Sequence, residues 1–436
     1  MIERLRLEKM VYGGSALGQH EGKAVFVAGG IAGEEVDVEI IAEKTDYCLG
    51  KALRILKPSP ARVEPPCTSF GDCGGCHWQH IDYPTQLKFK EQILAEQLRR
   101  IGGFEDPTIL DIIGMEEPWH YRHKSRFGLR TVGTTVTLGF YKPGTRQPVE
   151  LADCPILESH ISQAYAKLKD DFKRFFSPFQ GFCTVEVRSS PHEAQILINT
   201  SSRFQGRLDE VVDGLRTLPF VKGVHHRILR KNAPLQYKTL FGDPFITYTM
   251  GEWKFQVQPT SFFQVNIRQA ERLFSRAMEL MEIKGGRILD GYCGVGVLTL
   301  MASKSAEETV GIEVVPSAIE DARRNGVLNG VKNARFLEGL FQNMLPQLAQ
   351  ESWEGIMLDP PREGVVVKKT LRRIAQLRPP KILYVSCNPT TLARDCRRLR
   401  EGGYTLRLIQ PIDMFPHTYH IEALALLERE SALNGS

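Results

Sequence analysis

From residue 285 onward, short apolar runs typical of strands alternate with helical stretches such as 317–328 and 390–401. The candidate strands are Arg287–Asp290, Thr309–Glu313, Ala334–Leu337, Gly355–Leu358, Ile382–Ser386, Leu406–Pro411 and Ile421–Leu427. This alternation predicts a mostly parallel sheet that helices cover on both faces. Ligands of such sheets bind outside the carboxyl ends of the strands, so the residues that end each strand are the first candidates for a site.

The first crossover of this sheet carries a glycine-rich turn within Ile288–Gly296. Glycines permit a tight turn and the close approach of a ligand to the backbone. Glu313 ends the next strand, 23 residues after Asp290, where a carboxylate can accept the ribose hydroxyls of an adenosine ligand. The order G-x-x-G-x-G by itself suits either NAD or S-adenosylmethionine. Asp359 ends the fourth strand and faces the same crevice, where it can bind the polar edge of a base or the amine of a cofactor.

Two side chains at the same edge suit covalent chemistry on a uracil ring. Cys387 follows the strand Ile382–Ser386 and precedes a helix, whose N-terminus is expected to lower the thiol pKa. Glu422 begins an apolar strand, where poor solvation raises a carboxyl pKa and suits a general base; His417 and His420 are alternative bases. A thiolate that adds to uracil C6 makes C5 nucleophilic toward a methyl donor, and a base then removes the C5 proton.

Four of the nine cysteines form a candidate metal site. Cys67, Cys73 and Cys76 are spaced C-x5-C-x2-C. Cys154 lies 78 residues after Cys76 and is followed by a proline. Four thiolates suit either a [4Fe–4S] cluster or a structural zinc ion, and the spacing favours neither.

Composition limits the class of protein. The 436 residues are 42% hydrophobic and 25% charged, a globular balance that predicts two or three domains. The sequence has no run of about 18 apolar residues and its charged N-terminus lacks a secretory signal, so we expect a soluble, cytoplasmic protein that does not bind membranes. The net charge of +5 permits a nucleic-acid partner without requiring one.

The segment 118–149, here called the basic strip, contains no Asp or Glu. Its cations suit phosphates and its rings suit base stacking, which predicts a surface for single-stranded RNA. The residues are Arg122, Lys124, Arg126, Arg130, Lys142 and Arg146, with Trp119, Tyr121, Phe127, Phe140 and Tyr141. A second basic stretch comprises His225–Arg227 with Arg230 and Lys231.

Residues 1–57 are rich in strand signals. Short β-type runs at Arg4–Lys9, Lys23–Val27, Glu35–Ala42 and Cys48–Lys57 are separated by glycines and predict a small closed barrel. A helix is expected over 84–101, and the pattern from about 120 to 250 again predicts strands.

Taken together, these residues resemble the RNA (uracil-5-)-methyltransferase family, which includes the bacterial 23S ribosomal RNA enzymes, over nearly the whole chain. The resemblance implies a multi-domain α/β plus β fold. An N-terminal OB-like TRAM barrel that binds RNA would occupy 1–59, and a β-rich central iron–sulfur domain 60–250. A C-terminal Rossmann-like class I methyltransferase domain would occupy 251–436, with the helical segment 82–111 packed on it.

The resemblance also implies roles for single residues. Cys387 matches the family nucleophile and Glu422 its base. The S-adenosylmethionine site would use Gln264, in the Ser261–Asn266 motif, with Tyr292, Glu313 and Asp359. The ligands of a [4Fe–4S] cluster would be Cys67, Cys73, Cys76 and Cys154. Val297 and Gly339 stand where some members have asparagine.

The expected function is methylation of C5 of a uridine in 23S ribosomal RNA by a monomer. One alternative is a transfer RNA uracil-5-methyltransferase of the same family. A second is an RNA-binding or assembly factor with a vestigial cofactor site. A third is a base N-methyltransferase that acts through Asp359-Pro360-Pro361 and does not require Cys387.

Overall fold

The computed structural model describes residues 2–132, 135–175, 183–204, 207–230 and 237–430, which form three large sheets, one hairpin and nine α-helices. The strands are β1 (Ile2–Arg6), β2 (Lys9–Met10), β3 (Ala16–His20), β4 (Lys23–Ala28), β5 (Glu35–Glu43), β6 (Tyr47–Lys57), β7 (Lys124–Val132), β8 (Thr135–Tyr141), β9 (Pro148–Glu150), β10 (Cys183–Ser189), β11 (Ala194–Ser201), β12 (Val221–Leu229), β13 (Lys238–Gly242), β14 (Ile246–Met250), β15 (Trp253–Val257), β16 (Arg287–Gly291), β17 (Glu308–Glu313), β18 (Ala334–Glu338), β19 (Gly355–Leu358), β20 (Lys381–Ser386), β21 (Tyr404–Ile412) and β22 (Glu422–Arg429). The helices are α1 (Tyr83–Gln97), α2 (Ser159–Phe175), α3 (Leu208–Arg216), α4 (Ile267–Met281), α5 (Val297–Ala302), α6 (Pro316–Leu328), α7 (Phe341–Met344), α8 (Lys368–Gln376) and α9 (Pro389–Arg400).

The first sheet has the order β1-β5-β6-β4-β3-β2 and curls so that its ends meet. Only two residues separate β1 from β2, and both extend the pairing. The Leu7 N–H donates to the Glu34 carbonyl at 2.8 Å, and the Glu8 N–H donates to the Leu17 carbonyl at 2.7 Å. Pairing of one bent N-terminal segment with both β5 and β3 removes the sheet edges.

Helix α1 connects the first sheet to the last. The Asp82 side chain caps it by accepting from the Thr85 N–H at 3.0 Å, and the helix continues through a π-helical turn that ends before Gly103 in the left-handed conformation. The segment that follows forms isolated bridges from Ile109 and Ile113 to β21. The chain between the two sheets therefore lies against the C-terminal sheet.

The central sheet has the order β13-β12-β11-β10-β7-β8-β9, and α2 and α3 cover one of its faces. The sequence-based expectation of strands alone in this region is wrong, because both helices lie within it. Apolar residues of α2 recur at helical spacing, at Ile161, Ala164, Leu168 and Phe172, and pack on the sheet core. Lys231, the last residue of the second basic stretch, lies outside the described residues.

All seven strands expected after residue 285 are present, in the order β18-β17-β16-β19-β20-β22-β21. The first five are mutually parallel and β22 is antiparallel to both neighbours. The strand order changes direction between β16 and β19, which opens a crevice at their carboxyl ends. Because β22 is antiparallel, its first residue, Glu422, lies at the edge where β20 ends; we call this edge the catalytic edge.

No helix among the described residues is long and apolar enough to cross a lipid bilayer.

Candidate active site

The glycine-rich turn after β16 forms one wall of the crevice. Gly294 and Gly296 have φ angles of 54° and 90°, which side chains rarely tolerate, and Gly296 caps α5. Tyr292 also has a positive φ, 70°, and its ring packs on Phe341 with centroids 5.2 Å apart. A non-glycine residue held in this conformation fixes the path of the backbone along the crevice.

Glu313 at the end of β17 joins the turn to the next loop. Its Oε1 accepts from the N–H groups of Val314 and Val315 at 2.7 and 2.9 Å, and its Oε2 accepts from the Gly294 N–H at 3.2 Å. Two carboxylate oxygens offer about four acceptor positions, so capacity for a further donor remains. The carboxylate is thus held in place and retains the ability to bind hydroxyl groups.

Asp290 is the last residue but one of β16, and Asp359 directly follows β19. Burial raises the pKa of each to about 7. The Asp290 Oδ2 accepts from the Thr299 hydroxyl at 2.5 Å, whereas its Oδ1 is buried with no hydrogen-bond partner among the described residues. Two acids of this kind at one crevice indicate a site for a ligand that carries donors.

Gln264 lies in a segment that the central sheet holds in place. The guanidinium of Arg188 donates to the carbonyls of Ser261 and Gln258, and the His123 N–H donates to the Val265 carbonyl at 2.7 Å. Gln264 itself is half-buried.

Asn266, from the same motif, is fully buried and caps α4 by accepting from the Gln269 N–H at 3.2 Å. Its amide donates to the Met414 carbonyl at 3.1 Å. Asn266 therefore joins α4 to the loop that precedes Glu422.

Cys387 and Glu422 meet at the catalytic edge. Cys387 directly follows β20 and begins the short turn into α9. The next residue, Asn388, caps α9, because its side chain accepts from the Thr390 N–H at 3.0 Å. Register pairs Ser386 with Ala423, so the residues beyond this pair, Cys387 and Glu422, are adjacent across the two strands. Burial raises the pKa of Glu422 well above its ordinary value, and Asp359 raises it further.

The expectation of a lowered thiol pKa is wrong for this arrangement. Burial and the neighbouring Glu422 and Asp359 raise the pKa of Cys387 to about 12, whereas Arg362 and a backbone hydrogen bond oppose them. The desolvation of the thiolate and two nearby carboxyl groups outweigh the start of α9. The thiol is therefore protonated at neutral pH until its surroundings change.

The first sheet also reaches this edge. Tyr12 is in T-shaped contact with Tyr419, with ring centroids 5.7 Å apart. Burial raises the pKa of Tyr12, and the nearby Arg362 opposes this increase. The same guanidinium interacts with Cys387. Sequence reasoning missed Tyr12 and Tyr419, because no local pattern links residues that are 407 positions apart.

The loop Asp413–His420, here called the 413–420 loop, is held by buried polar contacts. The Lys90 ammonium, fully buried on α1, donates to Asp413 Oδ1 at 2.6 Å and to the Phe415 carbonyl at 3.0 Å, and the Tyr83 hydroxyl donates to Asp413 Oδ2 at 2.9 Å. His417 stacks on Trp119 at 3.7 Å. This loop leads directly into Glu422, so these contacts position the carboxyl group.

The two histidines of the 413–420 loop are weak bases. Burial together with Lys90 lowers the pKa of His417 to about 3, and burial together with Arg362 lowers the pKa of His420 to about 3. Of the candidate bases, Glu422 alone has its proton affinity increased by its surroundings.

The four candidate metal ligands come from two segments of the chain. Burial raises the pKa of Cys154 to about 12, and Cys76, Cys67 and Cys73 each contribute to this increase. The Gly75 N–H donates to Cys73 Sγ at 3.4 Å. As placed, however, the described residues contain no group of three or more His, Cys, Asp or Glu side chains arranged to hold a metal ion.

The basic strip is divided between two faces of the central sheet. Three of its five rings, Tyr121, Phe127 and Phe140, are core residues at 1%, 0% and 8% exposure, so the expectation that they stack on bases is wrong. Alternation along β7 leaves Arg126 and Arg130 exposed.

A mostly parallel sheet with a glycine-rich crossover and an acidic end to its second strand defines the class of Rossmann-like folds that bind adenosine-containing cofactors. A family model described as tRNA (Uracil-5-)-methyltransferase matches residues 238–430. An uncharacterized RNA methyltransferase of Clostridium tetani is 34% identical to this chain, covering 95% of it and 93% of the relative. Another from Halalkalibacterium halodurans is 31% identical, covering 98% and 97%.

The chain is also similar to a solved structure, that of the Pyrococcus abyssi tRNA (uracil-54, C5)-methyltransferase in complex with S-adenosyl-L-homocysteine. The TM-score is 0.76 at 25% identity, over 98% of this chain and 100% of the other. The chain belongs to the RNA (uracil-5-)-methyltransferase family and is an S-adenosylmethionine-dependent RNA methyltransferase.

Proposed function

We propose that this protein transfers a methyl group from S-adenosylmethionine to C5 of a uridine in RNA, through a covalent bond between Cys387 and C6. The observation that carries this proposal is the adjacency of the Cys387 thiol and the Glu422 carboxyl group at the catalytic edge, beside Asp359. Methylation of a base nitrogen needs neither a thiol nor a second buried acid, so the pair favours chemistry at carbon.

The proposed reaction balances with these two side chains. The Cys387 thiolate forms an S–C6 bond, and the C5=C6 electron pair makes C5 nucleophilic. C5 then takes the methyl group as the S–CH3 bond of the sulfonium breaks and S-adenosyl-L-homocysteine leaves, so that C5 holds both the methyl group and the original hydrogen. Glu422 removes that proton, the C5=C6 bond re-forms and the thiolate leaves. A buried carboxylate with a raised pKa is a stronger base than a solvated glutamate, which suits this last step.

The thiol must lose its proton before the first step. Arg362 is the cation that interacts with Cys387, and it lowers the pKa that burial and Glu422 raise. The same arginine lies beside Tyr12 of the first sheet, so RNA that contacts this region would change the environment of the thiolate. We therefore expect activation to accompany substrate binding.

The residues at the crevice fit S-adenosylmethionine, which supplies an electrophilic methyl group. Glu313 retains acceptor capacity for hydroxyl groups, and the buried Asp290 Oδ1 lacks a partner among the described residues. The binding set that we propose is Gln264, Tyr292, Glu313 and Asp359.

The RNA substrate has two candidates. We propose 23S ribosomal RNA from the resemblance over the whole chain. Transfer RNA is the second candidate, because the Pyrococcus abyssi relative is named for uracil 54 of transfer RNA.

The test uses methyl-labelled cofactor with purified 23S ribosomal RNA and transfer RNA in separate reactions. We expect 5-methyluridine in ribosomal RNA with the wild type and none with Cys387→Ala. The buried Cys396 on the neighbouring helix α9 gives a matched control, Cys396→Ala, which should keep its activity. Label in transfer RNA alone would select the second candidate. No label in either RNA would support a binding factor, and a methylated base nitrogen would contradict chemistry at C5.

We further propose that Cys67, Cys73, Cys76 and Cys154 hold a [4Fe–4S] cluster. The C-x5-C-x2-C spacing with Cys154 supports it, as does the Gly75 N–H that donates to Cys73 Sγ, because clusters are held by four thiolates and tuned by hydrogen bonds to sulfur. Anaerobically purified protein should contain iron and sulfide, and Cys76→Ser should lose both. Zinc without iron would contradict the cluster.

The division of the chain is part of the same proposal. Residues 1–59 would form a TRAM barrel, 60–250 the iron–sulfur domain and 251–436 the methyltransferase domain. The curled first sheet, with its ends joined through β1 and β2, supports the barrel.

A further inference from the structure

The face of the central sheet that α2 and α3 do not cover is here called the open face. We infer that the open face carries a groove that binds a single-stranded part of the RNA away from the methylated uridine. This inference rests on the proposed function and extends it to a second contact on the substrate. The groove has a volume of about 380 Å³, and it is lined by Arg126, Tyr141, Arg146, Thr184, Asn199, Arg227 and Leu229.

The register of five strands forms the floor of this groove. Gly139 on β8, Gly128 on β7, Thr184 on β10, Asn199 on β11 and Arg227 on β12 are successive cross-strand partners. Helices α2 and α3 cover the opposite face, where the apolar neighbours of these residues point. Five strands span roughly 19 Å, which suits a stretch of polynucleotide rather than one phosphate.

The glycines in this row make room for an aromatic ring. The Tyr141 side chain lies over Gly128, where a Cβ atom would come within 2.3 Å of two ring carbons and of the hydroxyl oxygen. Burial raises the pKa of this tyrosine, and Arg126 and Arg146 both oppose that increase, so both guanidinium groups are near the ring. A half-buried ring flanked by two arginines is the combination that binds a base together with its phosphates.

The charges of the groove are fixed around one carboxylate. Glu186, 4% exposed, pairs with Arg126 at 2.8 Å and lies 3.8 Å from Arg227. Arg227 donates to Asn199 Oδ1 at 2.7 Å, and Asn199 donates to Glu186 at 3.2 Å. Among the described residues, Glu186 is the only carboxylate in an ion pair with these two arginines, which leaves the groove with excess positive charge.

The same face continues to the cofactor crevice. Along β10 the side chains of Thr184, Glu186 and Arg188 share this face, and Arg188 donates to the carbonyls of Gln258 and Ser261. The segment that begins there contains Gln264. The buried Arg188 therefore joins the sheet that carries the groove to the segment that contains Gln264.

The test measures binding of a fluorescein-labelled single-stranded RNA to the full chain by fluorescence anisotropy over a series of salt concentrations. Tyr141→Leu should weaken affinity by about 5-fold or more, as expected for loss of one stacked base, while Tyr141→Phe should stay within about 2-fold. Arg146→Ala should lower the slope of log affinity against log salt by about 1.

Arg407→Ala is the matched control, because this exposed arginine lies on the outer strand β21 of the C-terminal sheet and pairs with Glu428. It should change neither affinity nor slope. If Tyr141→Leu and Arg146→Ala both bound RNA as the wild type does, the proposed RNA-binding role of the groove would be wrong. It would also be wrong if Arg407→Ala lost as much RNA affinity as these two variants. Because binding is measured without cofactor or turnover, a failure of the methylation proposal would leave this result interpretable, and the reverse also holds.

Discussion

Buried carboxyl groups at the catalytic edge and on the open face of the central sheet have pKa values shifted in opposite directions. At the edge, Asp290, Asp359 and Glu422 are acids whose pKa values are raised by burial. On the open face, arginines surround a single buried carboxylate, Glu186, whose pKa is lowered by the nearby cations despite its burial. The difference teaches that proton transfer needs poorly solvated acids, whereas a polyanion needs cations fixed at a water-accessible surface.

The largest effect is expected from the buried ion pair that supports the edge. Lys90→Met leaves the Asp413 carboxylate buried without its cation, so the free energy of unfolding should fall by about 3–5 kcal/mol. Urea unfolding measures this change. Lys88→Met, at an exposed position of the same helix, should change stability by less than about 0.5 kcal/mol. Equal stability of Lys90→Met and wild type would show that the pair does not hold the 413–420 loop.

The next prediction concerns the thiol at the edge. Iodoacetamide reacts with the thiolate, and a pKa raised to about 12 means that the thiolate fraction of Cys387 grows about tenfold per pH unit through pH 9. Peptide mass spectrometry follows this cysteine alone. Glu422→Gln removes a carboxyl group that raises the thiol pKa, so labelling at fixed pH should become several-fold faster.

The control for that experiment is Glu363→Gln, an exposed acid beside Arg362, which should not change the labelling rate. A plateau of the wild-type rate near pH 8 would contradict the burial of the thiol and restore the lowered pKa that the position before α9 suggests.

The smallest effect should appear on the open face. Arg126 has a side chain that is 58% exposed, so Arg126→Ala should lower the salt slope of RNA binding by about 1. Lys124 is held near Glu186, and burial lowers its pKa to about 7, so Lys124→Ala should lower the slope by less than half as much. Equal slopes for the two variants would contradict the idea that exposure decides which of these two cations, both on the same face of β7, contacts RNA.

The edge was predictable from sequence because it depends on topology. In a parallel sheet, the residue that ends each strand must lie at one edge, which placed Asp290, Asp359 and Cys387 together before any contact was known. Glu422 lies at the same edge because it begins β22, which runs antiparallel to β20. The thiol pKa was not predictable, because it depends on burial and on carboxyl groups distant in sequence.

The open face was less predictable. The basic strip indicates cations and rings, but only the register of β7 and β8 decides which face each side chain takes. Tyr121, Phe127 and Phe140 turned inward, while Tyr141 remained at the surface over Gly128. Asp413 and Lys90 are separated by 323 positions, so no local pattern could have paired them.

The most direct test of the account is the fate of the adduct in Glu422→Gln, incubated with RNA and methyl-labelled cofactor and resolved on a denaturing gel. If Cys387 adds to C6 and Glu422 only removes the C5 proton, a protein–RNA complex that carries the methyl label should accumulate, and Cys387→Ala combined with Glu422→Gln should form none. Wild type should give the same complex with 5-fluorouridine RNA, since fluorine cannot be removed as a proton. A Glu422→Gln protein that releases methylated RNA at the normal rate, with no adduct, would contradict the assignment.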